Sequence, residues 1–217
     1  MNLWNPRPYT DFLPFVLPHV PNCYDVQATL AITNTCIDFC RDTQFLQTDI
    51  DPFPVISGVG TYAIDVPDGY VLGQVLGIYY LNRKLERKSQ MELEKLYTRN
   101  WQFLQGTPQV YTQLDPWEIT LVYTPAETVQ QAVTGRFSYI PTRDSTQIES
   151  KVYERFLDVI VDGAVARLMS TPNQPYSDMK GAELADMKYR AGKEKALRYV
   201  TDGMNNAPMR ARYNRIW

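Results

Sequence analysis

Hydrophobic residues recur at helical spacing toward both ends of this chain and at strand-like spacing between them. Residues 10–18 suit a short helix, with Thr10 or Asp11 as its cap. Over residues 25–42, Val26, Leu30, Thr33, Ile37 and Cys40 repeat at helical intervals, and Ile32, Cys36 and Phe39 widen the same face. That spacing predicts an amphipathic helix capped by Asp25. From Gln44 to about Arg143 the texture changes. FLQTDI predicts a strand ended by Asp51-Pro52. Tyr62, Ile64 and Val66 alternate with polar or small residues before a turn at Pro67-Asp68-Gly69. VLGIYYL, residues 75–81, predicts a strand that turns at Asn82-Arg83-Lys84. Ser89 and Glu92 have capping-box spacing, so a short helix is expected over about 90–98. QVYTQL and ITLVYT flank Asp115-Pro116-Trp117-Glu118 as a hairpin, and VTGRFSYI is a last strand stopped by Pro141.

Helical spacing then returns. Between Glu149 and Ser170 the apolar positions are Val152, Phe156, Val159, Ile160 and Ala164, joined by Tyr153, Leu157, Val161, Val165 and Leu168. A stripe this wide predicts a helix packed on two sides. Its polar edge is Glu154, Asp158 and Asp162. Carboxylates at i, i+4 repel, so helix formation alone does not favour them; a basic partner or a solvated acidic edge both account for them. Residues 171–175, TPNQP, break the helix. Ser177 or Asp178 caps the next one, which is expected to end near Gly203. Ala182, Ala185, Tyr189, Gly192, Ala196 and Val200 share one of its faces, small enough for another helix to approach closely. Lys188, Arg190, Lys193, Lys195 and Arg198 make the remainder basic.

These elements predict an α+β fold. The helical bundle core comes from residues 1–43 and 145–203, a small antiparallel β module is inserted at 44–144, and residues 204–217 form an extended arm. At 217 residues the chain can bury a substantial core. Its 15 Tyr suit half-buried surfaces and its 15 Pro punctuate many short elements. The net charge of −2 conceals an asymmetry: residues 1–150 carry 10 Lys and Arg against 16 Asp and Glu, while residues 151–217 carry 12 against 8. Opposite signs at the two ends suit head-to-tail or partner contacts. No secretory leader pattern and no apolar run of membrane-spanning length is visible. Three Cys in a chain of this size predict reduced thiols.

Candidate chemistry is sparse. His19, Cys23, Cys36 and Cys40 are potential zinc ligands, but their spacing matches no dependable pattern, and Cys36 and Cys40 lie on an apolar helix face where Cys behaves as a small hydrophobe. No metal or cofactor is expected. His19, the single histidine, sits among prolines without an evident nucleophile to serve. The glycines form no phosphate loop. No enzymatic activity is expected. The tail instead interleaves Arg210, Arg212 and Arg215 with Tyr213, Ile216 and Trp217, the residue types enriched at binding hot spots.

The order of these segments resembles the head-to-tail adaptor, or connector, proteins of tailed bacteriophages. The segments that carry the resemblance are LPFVLPHVPNCYDVQATLAITNTCIDFCRDT, then GTPQVYTQL and ITLVYTPAE in a strand-rich middle, and YERFLDVIVDGAVARLMSTPNQPYSD before a second long helix and a basic tail. It implies a structural virion protein of the neck, assembled in the host cytoplasm. Such a protein docks as a ring, usually of twelve copies, beneath the portal protein. The ring extends the channel through which packaged DNA passes, without sequence-specific binding, and offers a surface to a downstream tail or nozzle protein. By position, the portal-binding residues would be Met209, Arg210, Arg212, Tyr213, Arg215, Ile216 and Trp217. Contacts between neighbouring copies would draw on Glu154, Asp158 and Asp162 against Lys188 and Lys195, since a ring requires heterologous contacts.

Two other classes fit parts of the pattern. A nucleic-acid-binding module would use residues 188–217, although the chain's overall acidity opposes phosphate binding. A carbohydrate- or host-binding module would use Trp101, Trp117 and Tyr side chains of the β insert as stacking platforms.

Overall fold

The computed structural model describes residues 5–97, 100–115 and 117–202. The chain divides into two compact units, one formed by Met1–Phe45 with Thr146–Trp217 and the other by Leu46–Ser145.

The first unit is helical. A short strand β1 (Pro6–Pro8) leads into a helical run from Tyr9 to His19 whose central turn is α1 (Leu13–Val16). No side chain caps this run. Asp11 instead forms an ion pair with Arg7 at 3.6 Å. The long helix α2 (Asp25–Thr43) follows, with Tyr24 rather than Asp25 at its N-cap and Gln44 in the left-handed region at its end. After the second unit the chain returns as β12 (Gln147–Glu149), antiparallel to β1, and then as α4 (Ser150–Met169) and α5 (Met179–Asp202). Asp178 caps α5: its Oδ1 accepts from the Lys180 amide at 3.1 Å.

Helices α2, α4 and α5 pack on one another around Ile32, Cys36, Phe39, Ile160, Ala164 and Tyr189, all buried. The buried side of α2 is broader than its large aliphatic residues suggest. Ala28, Thr35 and Thr43 are buried with it. Thr35 and Thr43 satisfy their hydroxyls on the carbonyls of Ala31 and Phe39, each at 2.7 Å. Val26 and Leu30, counted above with the apolar face, are exposed. Helix α4 is not regular throughout: Phe156 has φ −128° and ψ 21°. Its ring lies 5.0 Å from Phe39, 4.8 Å from Phe45 and 6.4 Å from Tyr199.

The second unit holds two four-stranded sheets. In the first, β2 (Gln47–Val55) and β4 (Tyr70–Tyr80) flank the long β11 (Val129–Pro141), and β5 (Arg83–Lys84) lies outside β4. In the second, the order is β3 (Thr61–Ala63), β9 (Glu118–Val122), β8 (Val110–Thr112) and β6 (Glu86–Arg87). Pairing within the sheets is antiparallel except between β6 and β8; β7 (Gln105–Gly106) and β10 (Thr124–Pro125) form a separate parallel pair. Strand β2 runs on through Pro52 and Pro54, because an edge strand can present a residue without an N–H to the open side. The turn after β4 falls at Leu81-Asn82, both at positive φ, one residue earlier than the charged residues suggested. Helix α3 (Gln90–Tyr97) opens with the expected reciprocal cap. Ser89 donates its amide to Glu92 Oε2 at 2.8 Å, and the Glu92 amide donates to Ser89 Oγ at 3.3 Å. Leu93 of this helix packs with Trp101, Val110 and Val122.

Candidate assembly interface

The seam between α4 and α5 fixes where their charged edges lie. It is built on two glycines. A Cβ at Gly163 would meet Thr35 Cγ2 at 2.6 Å and the Tyr189 ring at 2.7 Å; one at Gly192 would meet Val159 Cγ2 at 2.5 Å. The helices therefore approach more closely than any larger residue would allow. The Tyr189 hydroxyl donates to the Thr35 carbonyl at 3.3 Å, which ties α5 to α2 as well. Burial pushes the Tyr189 phenol well above its ordinary value.

Charged residues close the rim of this bundle from inside the subunit. Lys193 reaches Asp42 at 2.6 Å and its Nζ lies 4.8 Å from the centre of the Tyr189 ring. Arg167 pairs with Asp38, and Arg190 with Asp186 at 2.6 Å. The acidic edge of α4 is graded. Asp162 is half-buried, while Asp158 and Glu154 are exposed. The break at Phe156 separates Glu154 from Asp158 and Asp162 along this edge. Burial raises the Asp162 carboxyl and Asp158 raises it further; Lys188 and His19 act in the opposite direction. Lys188 thus faces Asp162 electrostatically within one copy. Glu154, Asp158 and Lys195 remain at the exposed surface.

Beside these charges the helical unit exposes apolar side chains. Val26 and Leu30 on α2, and Leu184 and Met187 on α5, are each more than half exposed. Neither α5 position belongs to the small-residue face, so the apolar pattern that locates the seam does not reveal them. Gly163 also escaped the sequence pattern, because a lone glycine within an apolar helix carries no periodic signal. The residues expected at the portal, Met209, Arg210, Arg212, Tyr213, Arg215, Ile216 and Trp217, lie outside the described residues.

The thiols expected to be buried behave so at two positions. Cys36 and Cys40 are fully buried, and burial raises both well above the ordinary thiol range. Among the described residues no group of three or more His, Cys, Asp or Glu is arranged to hold a metal ion. Trp101 is 2% exposed, which removes it as a saccharide-stacking platform; Trp117 is exposed. No helix among the described residues is long and apolar enough to cross a membrane.

The family model described as SU10 adaptor protein matches residues 24–213. The chain belongs to the SU10 adaptor protein family. It is a structural adaptor protein of a bacteriophage and a component of the virion. The family match begins at Tyr24, takes in α2, the β unit, α4 and α5, and continues through Met209, Arg210, Arg212 and Tyr213; Arg215, Ile216 and Trp217 lie beyond it. No curated protein matches this adaptor.

Proposed function

We propose that this adaptor docks as a ring of copies beneath the portal, extends the DNA channel and presents the attachment surface for a downstream tail or nozzle protein. The observation that carries the reading is the extent of the family match, which spans the helical unit from Tyr24 onward, the β unit and most of the basic tail. The role is one of docking rather than turnover. Residues 204–217 form the arm that grips the portal, anchored by Met209, Arg210, Arg212, Tyr213, Arg215, Ile216 and Trp217. Arginine and aromatic side chains suit that task because they carry large contact areas and directional hydrogen bonds. Glu154 and Asp158 contact Lys195 of a neighbouring copy, while Asp162 and Lys188 contribute from the margin of their own seam. Twelve copies match the common symmetry of such rings. DNA passes through without sequence-specific contact.

Deletion of residues 204–217 tests the arm. The shortened protein is expected to keep its circular dichroism spectrum and melting transition but to be absent from portal-containing particles. Incorporation at the full-length level would remove the arm from the mechanism.

A further inference from the structure

The two sheets of the β unit carry opposite charges on opposite edges. Strands β2 and β3 are the edge strands on one side, joined in sequence by residues 56–60. The Phe53 and Tyr62 rings hold them together at 5.3 Å, and the Tyr62 hydroxyl donates to the Val59 carbonyl at 2.8 Å. This flank exposes Asp49, Asp51 and Asp65. Its only basic neighbour among the described ion pairs is Arg136, which meets Asp49 at 2.7 Å with both side chains more than half exposed. A shallow groove of about 650 Å³ runs between the strands, lined by Asp49, Asp51, Phe53, Tyr62 and Asp65.

The opposite edges are β5 and β6, separated by the single residue Leu85. Leu85 is buried, and its amide donates to the Ile78 carbonyl at 2.9 Å, so the chain steps directly from one sheet to the other. The flank exposes Arg83, Lys84 and Arg87. Glu86, the carboxylate within β6, is engaged by Lys88 at 2.6 Å. A groove of about 520 Å³ beside it is lined by Val75, Gly77, Lys84, Arg87 and Tyr111.

From this juxtaposition we infer that the acidic β2/β3 flank of one copy docks against the basic β5/β6 flank of a second copy, a head-to-tail contact that repeats around a ring. The inference rests on the ring reading above and adds the β unit to it. A closed ring needs two different, complementary surfaces on each copy, and the two edges of this unit supply them. Pro52 and Pro54 deny two amides to the open side of β2, so the contact is made by side chains rather than by a continued backbone ladder.

The test uses the full chain. Copies labelled with ¹⁴N and ¹⁵N are mixed, assembled on portal rings and measured by mass photometry. A carbodiimide then joins carboxylates to amines in contact. Mixed-isotope cross-links from Asp49, Asp51 or Asp65 to Lys84 or Lys88 are expected. Two charge reversals accompany this, D49K/D51K/D65K and R83E/K84E/R87E. Each should raise the half-assembly concentration about tenfold at low salt, and the chain carrying both should return to within about threefold of the original. Wild-type rings that form without mixed-isotope links at these flanks, or reversals without effect, overturn the inference and leave the ring reading standing. Failure of the wild-type chain to add more than one copy per portal overturns both. Salt-sensitive DNA retention abolished by R83E/K84E/R87E, with no mixed-isotope links, would assign the basic flank to nucleic acid instead.

Discussion

Gly192 of α5 lies so close to Val159 of α4 that a Cβ at position 192 would stand 2.5 Å from Cγ2 and 2.6 Å from Cγ1 of the valine. Val159 is β-branched and stiff within a helix, so it cannot turn aside. Gly192→Leu should therefore destabilise the protein by about 2 kcal/mol, even though leucine is the better helix former. Adding Val159→Ala should recover about half of the loss. Urea denaturation of the two variants measures both effects, and an unaltered midpoint for Gly192→Leu would mean that the seam is not closed there. Ala196 is fully buried on the same side of α5. Ala196→Trp should lower the melting temperature through the same overpacking.

The elements legible in the sequence are those whose signal is local. Ser89 and Glu92, and Asp178, carry their own capping chemistry, and the helices begin where those residues place them. The small face of α5 was legible because alanine and glycine at helical spacing have few other uses. Contact-dependent features were not. Val26 and Leu30 have the right period to be core but lie exposed at the start of α2, while Ala28 and Thr35 are buried. Only the packing of α4 and α5 decides which side of α2 is covered. The strand past Pro52 was hidden because proline stops a central strand but not an edge one. In the candidate interface, residue type pointed to Asp162 and Lys188, yet only the structure reveals that Lys188 acts on the Asp162 carboxyl within one copy.

Asp162 should give the helical unit a distinctive pH response. Its carboxyl is raised from 3.8, first by burial and then by Asp158. The folded protein then holds this proton more tightly than the unfolded chain does. The resulting stabilisation is complete below pH 3.8 and is lost as pH rises through the higher folded value. Asp162→Asn should flatten that part of the stability profile. Lys188→Met should raise the Asp162 titration further and Asp158→Asn should lower it, read by side-chain carboxyl NMR. A downward move with Lys188→Met would place the lysine elsewhere.

Ser89→Ala removes the hydroxyl that accepts from the Glu92 amide at 3.3 Å and donates to Glu92 Oε2 at 2.8 Å, and leaves only the backbone amide of residue 89 to donate to that carboxylate. Amide exchange in residues 90–97 should accelerate about fivefold, with little change in the strands. The capping bonds also hold the Glu92 carboxyl below its ordinary 4.5. The protection they give should therefore persist above that value and fade as pH falls through the lower folded value. Uniform acceleration across the β unit would show that the cap supports the whole unit rather than one helix.

The break in α4 at Phe156 makes unequal use of its aromatic neighbours. Phe156 is 5% exposed, so Phe156→Ala should cost about 3–5 kcal/mol through lost burial and the cavity left behind. Phe45 meets it edge to face at 4.8 Å, within the range of a favourable aromatic pair. Tyr199 lies farther away, at 6.4 Å, and is half exposed. A double-mutant cycle between Phe45 and Phe156 should therefore return a coupling of about 1 kcal/mol, and one between Phe156 and Tyr199 a coupling near zero. The distinction matters because Tyr199 stands close to the end of α5, from which the proposed arm continues. Weak coupling leaves that end free to adjust on docking without loosening the core around Phe156. Equal couplings in the two cycles would show instead that the end of α5 is built into the core.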